Sequence, residues 1–311
     1  MVKMKIKSIL VVMALAALSV VSMSSSAAKR PNILLVVADD LGWTDIGSYG
    51  GEVGTPNLDT LAARGVQFTD FYVSVTCSPT RAMLLTGNDN HVAGLGNMNE
   101  FLTPKQRGKP GYEGYLNQRV ATLAEVLRIG GYHTYMAGKW HLGRARGTLP
   151  KDRGFERGFA LLDGAASHWA DGFGILPRYN PAQYSRNGEL LDKLPPDFYS
   201  SKSYADFLIE AIGENRGDGK PFFGYLAFTA PHDPLHVPEP WLSRYRGRYD
   251  DGYEVLNQSR WPAAKQRGLV PQEAKLPGCY RMIRPWTTLS HAQRPDYARR
   301  QEVYAGMQEA L

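Results

Sequence analysis

The sequence contains few cysteines, which excludes one class of exported protein. Only Cys77 and Cys279 occur among its 311 residues, so at most one disulfide can form. Small secreted domains that depend on disulfides for their stability carry many more cysteines than this. The chain must therefore rely on a hydrophobic core, and its length allows one large domain or two smaller ones.

The sequence also lacks a strong excess of charge and a long apolar run. Its formal net charge is +6, and Lys3, Lys5 and Lys7 supply half of it. No basic stripe or recognition motif accompanies this weak charge, so we expect no nucleic-acid partner. The apolar run at residues 9–21 is shorter than the roughly 20 residues needed to cross a bilayer, so we expect no stable membrane span.

The amino terminus has the features of a secretory signal peptide. Three lysines precede the apolar run, and small residues follow it as far as Ala28, where we expect cleavage. Residues 1–28 are therefore predicted to be a signal peptide, with an uncleaved membrane anchor as the alternative. The mature chain, residues 29–311, is predicted to be exported to the periplasm or secreted.

Helical and strand patterns alternate along the mature chain. Residues 33–38 and 222–229 are continuous apolar runs, typical of strands buried on both faces of a sheet. The stretch "ATLAEVLRIGGYHTYMAGKWHLG" indicates a helix, a Gly-Gly turn and a strand. This alternation predicts an α/β fold with a largely parallel central sheet flanked by helices. Further expectations are helices at 55–65, after Cys77 and at 296–311, a strand at 66–75, and long loops at 241–295.

Reactive side chains follow the predicted strands. In an open α/β sheet, ligands collect at the carboxyl ends of the strands. Paired carboxylates there suit a hard divalent cation, whereas lysine, arginine and histidine suit sulfate or phosphate. The residues in these positions are Asp39, Asp40, Cys77, Arg81, Lys139, His141 and His232.

Each of these residues also has an ordinary structural explanation. An Asp-Asp pair after a strand often belongs to a loop or a helix cap. A single histidine is usually structural, and a lone cysteine in an exported protein is most often buried or disulfide-bonded. The prediction of a site therefore depends on the combination rather than on any single residue.

In combination, these motifs resemble the sulfatase family. The element "CSPTR" is followed by "LLTG" and then by "GYHTYMAGKWHLG", and "NILLVVADDLGW" precedes them all. The stretch "CSPTRAMLLTGNDNHVAGLGNM" is most similar to bacterial arylsulfatases. The resemblance covers about residues 31–232 and returns weakly in the last helix. It implies an alkaline-phosphatase-like fold and hydrolysis of an aryl or carbohydrate sulfate to an alcohol and sulfate.

The resemblance gives Cys77 a chemical role. In sulfatases this cysteine is oxidised to formylglycine (3-oxoalanine) by a formylglycine-generating or sulfatase-maturing enzyme, which recognises Pro79 and Arg81. Water adds to the aldehyde, and one oxygen of the resulting diol attacks the sulfur while the alcohol leaves. The second hydroxyl then collapses to the aldehyde and expels sulfate.

The resemblance also implies roles for the other residues. Asp39, Asp40 and the converted Cys77 bind a divalent cation, usually Ca²⁺, with Mg²⁺ as the alternative. Arg81 stabilises the diol oxygen, and Lys139 contacts the sulfate and the modified residue. His141 orients a diol hydroxyl and helps to deprotonate it during sulfate release, and His232 lies beside the leaving oxygen as a general acid or a sulfate ligand.

The sequence departs from the family pattern near its end. Family members carry a later Asp-Asn pair that completes the metal site and a later sulfate-binding lysine. The adjacent Asp89 and Asn90 lie just after the signature helix, and we interpret them as turn residues. We therefore expect an incomplete catalytic domain over residues 29–311, an exposed apolar sheet edge, poor independent folding and little activity.

Two other functions remain open from the sequence. The chain could hydrolyse phosphate or phosphonate esters on the same fold, or it could be a non-catalytic remnant that binds an anion or a partner. Cys77 favours sulfate, since phosphatases of this fold use serine or threonine. A disulfide between Cys77 and Cys279 would remove the nucleophile. Substrate specificity is expected in loops around Trp169, Tyr179 and residues 241–295.

Overall fold

A computed structural model describes residues 30–278 and 282–311 of the chain. The predicted signal peptide at residues 1–28 and the second cysteine, Cys279, lie outside the described residues. Ile33–Leu311 form one compact unit. Within the described ranges, no helix is both long and apolar enough to cross a membrane.

A six-stranded sheet has the strand order β1-β6-β2-β3-β4-β5. Its strands β1, β6, β2 and β3 run parallel, and β4 and β5 form an antiparallel hairpin at one side. The predicted α/β class with a largely parallel sheet is therefore confirmed. The strands are β1 (Ile33–Asp39), β2 (His133–Lys139), β3 (Arg157–Leu161), β4 (Tyr184–Arg186), β5 (Glu189–Leu191) and β6 (Phe222–Pro231).

Helices follow or connect these strands. The α-helices are α1 (Pro56–Arg64), α2 (Cys77–Thr86), α3 (Leu123–Ile129), α4 (Ser200–Glu214), α5 (Trp241–Arg244), α6 (Tyr253–Gln266) and α7 (Arg294–Glu309). Short 3-10 helices lie at Gly47–Tyr49, Asn99–Phe101, Pro150–Arg153, Pro177–Tyr179 and Trp286–Thr288. Local sequence explains the predicted helices: α1 begins at a proline, and Thr122 with Glu125 forms a capping box on α3.

Hydrophobic side chains cover both faces of the central strands. Along β2, Met136 belongs to one core cluster, whereas Tyr135 and Ala137 belong to another. Successive side chains of a strand point to opposite faces, so these clusters lie on the two sides of the sheet. The first cluster is centred on Trp140 and the second contains Phe207 of α4. The central strands are thus held rigidly, with their carboxyl ends at one edge.

Strands β2 and β6 approach each other very closely near that edge. Gly138 has a φ of +112° and pairs with Ala227. A Cβ atom on Gly138 would overlap the carbonyl oxygen of Ala227. Glycine is therefore required immediately before Lys139, and this close approach fixes the direction in which the chain leaves β2.

Strand β1 differs from the sequence prediction. It was predicted to be buried on both faces, but the side chains of Leu34 and Val36 are about half exposed. The reason is that β1 lies at the end of the sheet, where no strand of the described ranges pairs with its outer side. The exposed apolar sheet edge expected from the sequence therefore lies at β1.

The predicted strand at residues 66–75 is wrong. No strand is assigned there, and most of its side chains, including Phe71, Tyr72 and Val75, are exposed. A strand requires a neighbouring strand to satisfy its backbone hydrogen bonds, and none of the described strands pairs with this segment. Its aromatic and β-branched composition indicated β propensity but could not supply that partner.

The predicted long loops at residues 241–295 are also wrong in part, because α5 and α6 lie within this range. Helix α6 contains Pro262 and buries only Ala264 among its residues, so it lacks the apolar stripe that predicts a helix. Long-range ion pairs fix it instead: Arg260 contacts Asp45 at 2.6 Å and Glu52 at 2.7 Å. The predicted helix at the carboxyl end is confirmed as α7.

Candidate active site

Asp39 lies at the carboxyl end of β1 between two buried cations. Its Oδ1 atom is 3.2 Å from Nη2 of Arg81, and its Oδ2 atom accepts a hydrogen bond from Nζ of Lys139. Burial raises the pKa of Asp39, but the charges of Arg81 and Lys139 outweigh burial and lower it to about 2. The carboxylate is therefore ionised at any physiological pH.

Arg81 joins helix α2 to the three strands β1, β2 and β6. It projects from α2, and its Nη1 atom donates to the carbonyl oxygen of Lys139 at 2.8 Å and to the hydroxyl of Tyr225 at 3.2 Å. Burial alone would lower the pKa of Arg81, but Tyr225 and Asp39 raise it above its ordinary value. The guanidinium therefore stays charged and connects α2 with the ends of β1 and β2.

Cys77 is the first residue of α2, so this helix begins one residue earlier than the sequence predicted. Its side chain is half-buried, and it forms no disulfide within the described residues. Burial raises the pKa of the Cys77 thiol, Lys139 and Arg81 oppose this rise, and Asp39 and Asp40 add to it. The thiol is thus protonated at neutral pH and is not an activated thiolate.

Potential metal ligands converge beside Cys77. One ligand atom each of Asp39, Cys77 and His232 lies within 4.8 Å of the others. Asp40 approaches this group through His232, with 3.4 Å between Oδ2 and Nε2. Of the three predicted ligands, Asp39 and Cys77 therefore lie together, while Asp40 lies at the margin of the group. His232, which was not predicted as a ligand, is the third member of the group.

These donors fit a divalent cation. Asp39 is ionised and Asp40 has a left-handed backbone with a φ of 59°, which turns the chain sharply after β1. The hydroxyl of Tyr304 on α7 lies 3.0 Å from the carbonyl oxygen of Asp40 and donates to Oδ2 of Asp45 at 2.7 Å, which anchors this turn to α7. A thiol and an imidazole favour softer metals such as zinc, whereas an oxygen at position 77 would make the set suitable for calcium or magnesium.

His141 follows β2 and is paired with a glutamate that the sequence analysis did not identify. Its Nε2 atom is 2.8 Å from Oε1 of Glu100. Its Nδ1 atom is buried and has no hydrogen-bond partner in the part of the chain that the structure describes. Burial lowers the pKa of His141, the charge of Lys139 lowers it further, and Glu100 opposes both.

His232 is positioned by a second histidine. Its Nδ1 atom donates to the carbonyl oxygen of Asp233 at 2.7 Å, so its Nε2 atom is the one that faces Asp40. Burial lowers the pKa of His168 to about 4, so this residue is neutral at pH 7. The Nε2–H group of His168 donates to the carbonyl oxygen of His232 at 3.1 Å, while the hydroxyl of Ser200 donates to Nδ1 at 2.6 Å.

Two cavities flank this cluster. A cavity of about 840 Å³ includes Asp40, His232 and Tyr304 in its walls. A second cavity of about 540 Å³ is lined by Ser78, His141, Glu100 and Tyr179, among others. Tyr179, one of the residues expected near the specificity loops, therefore lines the same cavity as His141. Asp89 instead accepts from the backbone N–H of His91 at 2.8 Å, consistent with a turn residue.

The residues that hold the predicted ones in place were not predicted from the sequence. Glu100, His168, Tyr225 and Tyr304 contact site residues but belong to no motif. Glu100 is 41 residues from His141, and Tyr304 is 264 residues from Asp40. No sequence signal at such separations points to a contact, so only the fold reveals them.

The fold and the site define an α/β protein with a buried cluster of charged side chains at the carboxyl edge of its sheet. The sulfatase family profile matches residues 31–301, and the chain belongs to the sulfatase family. It is 46% identical over 294 residues to an uncharacterized sulfatase of Schizosaccharomyces pombe, covering 91% of this chain and 52% of that protein. It is 41% identical over 281 residues to an arylsulfatase of Klebsiella aerogenes, covering 90% and 59% respectively.

Solved structures show the same fold. The crystal structure of Ps i-CgsB matches with a TM-score of 0.60 and 28% identity, covering 77% of this chain and 53% of that chain. A sulfatase from Bacteroides fragilis, yidJ, described as putative, matches with a TM-score of 0.61 and 19% identity, covering 90% and 55%. The fold is thus the alkaline-phosphatase-like fold of sulfatases. The chain spans between half and three fifths of the length of these relatives.

Proposed function

We propose that residues 29–311 form part of the catalytic domain of an exported enzyme that hydrolyses sulfate esters of the aryl or carbohydrate type. One observation carries this proposal: Asp39, Arg81 and Lys139 meet in a buried cluster beside the half-buried Cys77. Family membership and the 41% identity to an arylsulfatase support it. In the reaction, a sulfate ester and water give an alcohol and sulfate.

The proposed nucleophile is residue 77 after conversion of its thiol to formylglycine. Burial keeps the thiol protonated, which argues against a simple cysteine nucleophile. The hydrated aldehyde supplies an oxygen nucleophile. Pro79 and Arg81, the proposed recognition residues for the maturing enzyme, are buried in α2. That enzyme would therefore have to act before the chain folds.

The buried side chains of Arg81 and Lys139 would neutralise the negative charge of the sulfate group. A sulfate group carries negative charge on its oxygens, and fixed positive groups in a site that excludes water stabilise the charge that develops there. Lys139 lies deepest and would contact a sulfate oxygen, whereas Arg81 would hold the oxygen on residue 77. His232, with Nε2 facing the cluster, would protonate the leaving alcohol or bind sulfate.

Asp39, Asp40 and the oxygen of residue 77 would hold a divalent cation, Ca²⁺ or Mg²⁺. Such an ion would act as a Lewis acid that polarises oxygen. The ionised Asp39 contributes a full negative charge, and the exposed Asp40 can turn toward the ion without losing a buried partner. His232 would remain available to the substrate because its other nitrogen is fixed on a backbone carbonyl.

Mass spectrometry of the peptide that carries Cys77, isolated from the native host, tests the proposal. Formylglycine at position 77, together with faster turnover of nitrophenyl sulfate than of nitrophenyl phosphate, is the expected result. Cys77→Ala is the control and should abolish turnover. An unmodified thiol would favour the non-catalytic remnant, and faster turnover of the phosphate would favour a phosphate or phosphonate ester hydrolase. Amino-terminal sequencing of the secreted or periplasmic protein tests export and cleavage after Ala28.

A further inference from the structure

Glu100 and His141 form a buried pair in the wall of the second cavity. Their side chains are 6% and 8% exposed, and Oε1 lies 2.8 Å from Nε2. Glu100 belongs to the short helix Asn99–Phe101, whereas His141 follows β2 with a φ of 55°. The pair therefore joins an irregular segment to the strand that carries Lys139.

The charge state of Glu100 decides which nitrogen of His141 carries the proton. Burial raises the pKa of Glu100, but its hydrogen bond to His141 and the charges of His141 and Lys139 lower it below its ordinary value. An ionised carboxylate can only accept hydrogen bonds, so Nε2 must be the protonated nitrogen. Neutral His141 then has its lone pair on Nδ1, the atom that is buried without a partner among the described residues.

The cavity wall that contains His141 also contains the residue next to the proposed nucleophile. Ser78, the residue after Cys77, lines the same cavity as His141 and Glu100. The Oγ atom of Ser78 is likewise buried without a partner in the described ranges. A buried unpaired acceptor is unfavourable unless a ligand or a reacting group satisfies it. Nδ1 is therefore poised to accept a hydrogen bond at this place.

We propose that Glu100 is a positioning residue that holds His141 with its proton on Nε2 and its basic Nδ1 directed toward residue 77. This inference rests on the proposed function. When the second hydroxyl of the sulfated residue 77 collapses, its proton passes to Nδ1 and the electron pair of the O–H bond forms the C=O bond of the aldehyde. The C–O bond to the sulfate breaks, and sulfate leaves with that electron pair. The imidazolium that forms is stabilised by the Glu100 carboxylate, and its proton later returns to water. A carboxylate that orients an imidazole in this way follows the logic of hydrolase triads.

The first experiment measures the protonation of His141 directly and does not depend on turnover. In the ¹⁵N NMR spectrum of the full chain at neutral pH, His141 should show a protonated Nε2 and an unprotonated Nδ1, with a slowly exchanging downfield Nε2–H resonance. His141→Gln assigns the signals among the seven histidines. Glu100→Ala should abolish the downfield resonance. Glu113→Gln, which removes a carboxylate paired with Arg119 in the same cavity wall, should leave it unchanged.

A proton on Nδ1, or a downfield resonance that survives in Glu100→Ala, would overturn the proposal. If Glu100→Ala does not fold, Glu100→Gln keeps the side-chain volume and removes the charge. The pKa of His141 should then fall in an NMR titration, because Glu100 raises it in the wild type. An unchanged His141 pKa would also overturn the proposal.

The second experiment uses protein with formylglycine at position 77. Glu100→Ala should lower kcat by about 100-fold with little change in KM, as expected when a proton-transfer group loses its orientation. A raised KM with unchanged kcat would instead assign Glu100 to substrate binding and overturn the proposal. Absence of turnover in the wild type would refute the proposed function, and the NMR result would still decide the role of Glu100.

Discussion

Replacement of Asp39 by asparagine should destabilise the protein strongly. The residue is 5% exposed, and its two cationic partners, Arg81 and Lys139, are 2% and 0% exposed. The substitution keeps the side-chain volume, so it creates no cavity, but it leaves two buried cations without their carboxylate. Removing one partner of a buried ion pair costs about 3–5 kcal/mol. The lowering of the Asp39 pKa from 3.8 to about 2 corresponds to about 2.5 kcal/mol, so we expect a loss of about 3 kcal/mol.

Urea denaturation followed by tryptophan fluorescence, in EDTA to exclude bound cations, measures this loss. Asp40→Asn is a matched control, because the neighbouring carboxylate is 62% exposed and its contact with His232 is 3.4 Å long. An exposed pair of this kind contributes about 0–1 kcal/mol. Because the edge strand β1 is already uncovered, the Asp39 variant should begin to unfold at low urea concentration. The Asp40 variant should remain folded over the same urea range as the wild type. A change below about 1 kcal/mol for Asp39→Asn would show that the two cations are solvated or otherwise paired.

Three further results are expected. The stability toward acid, followed by circular dichroism, should fall in two ranges of pH. It falls first below about pH 6.5, because burial lowers the pKa of His168 to about 4 and the unfolded state takes up this proton more readily, and again below about pH 4, because the pKa of Asp39 is lowered to about 2. His168→Gln should reduce the first fall without removing it, since burial also lowers the pKa of His141. The unmodified Cys77 thiol should react slowly with iodoacetamide at pH 7, because burial raises its pKa, and Lys139→Met should slow the reaction further, because the charge of Lys139 lowers that pKa. Fast alkylation at pH 7 would show that the thiol is ionised. Calorimetry should show Ca²⁺ or Mg²⁺ binding that Asp40→Asn weakens without unfolding the protein, and equal binding by both proteins would exclude Asp40 as a ligand.

The sequence predicted those parts of the fold whose burial pattern is local. Strands β2 and β6 are covered on both faces, and their apolar runs end where the site begins. Helix α2 follows from the motif that contains Cys77. The parallel arrangement then places Asp39, Lys139 and His232 at one edge, because parallel strands share the direction of their carboxyl ends.

The remainder depended on contacts that sequence patterns do not encode. Strand β1 has the composition of a buried strand but lies at an edge, and α6 lacks an apolar stripe because Arg260 and other long-range contacts hold it. In the site, the sequence supplied residue types but not orientation. Glu100 determines which nitrogen of His141 is left without a hydrogen-bond partner among the described residues. The position of His232 depends on His168.

The segment at residues 66–75 has a consequence for handling the protein. It presents Phe71, Tyr72, Val73 and Val75 to solvent, and the only charge within it is that of Asp70. Short stretches with high β propensity, few charges and no proline are the ones that stack into cross-β fibrils when left open. Concentrated solutions should therefore aggregate and become turbid with time, and Tyr72→Lys should delay the onset of turbidity.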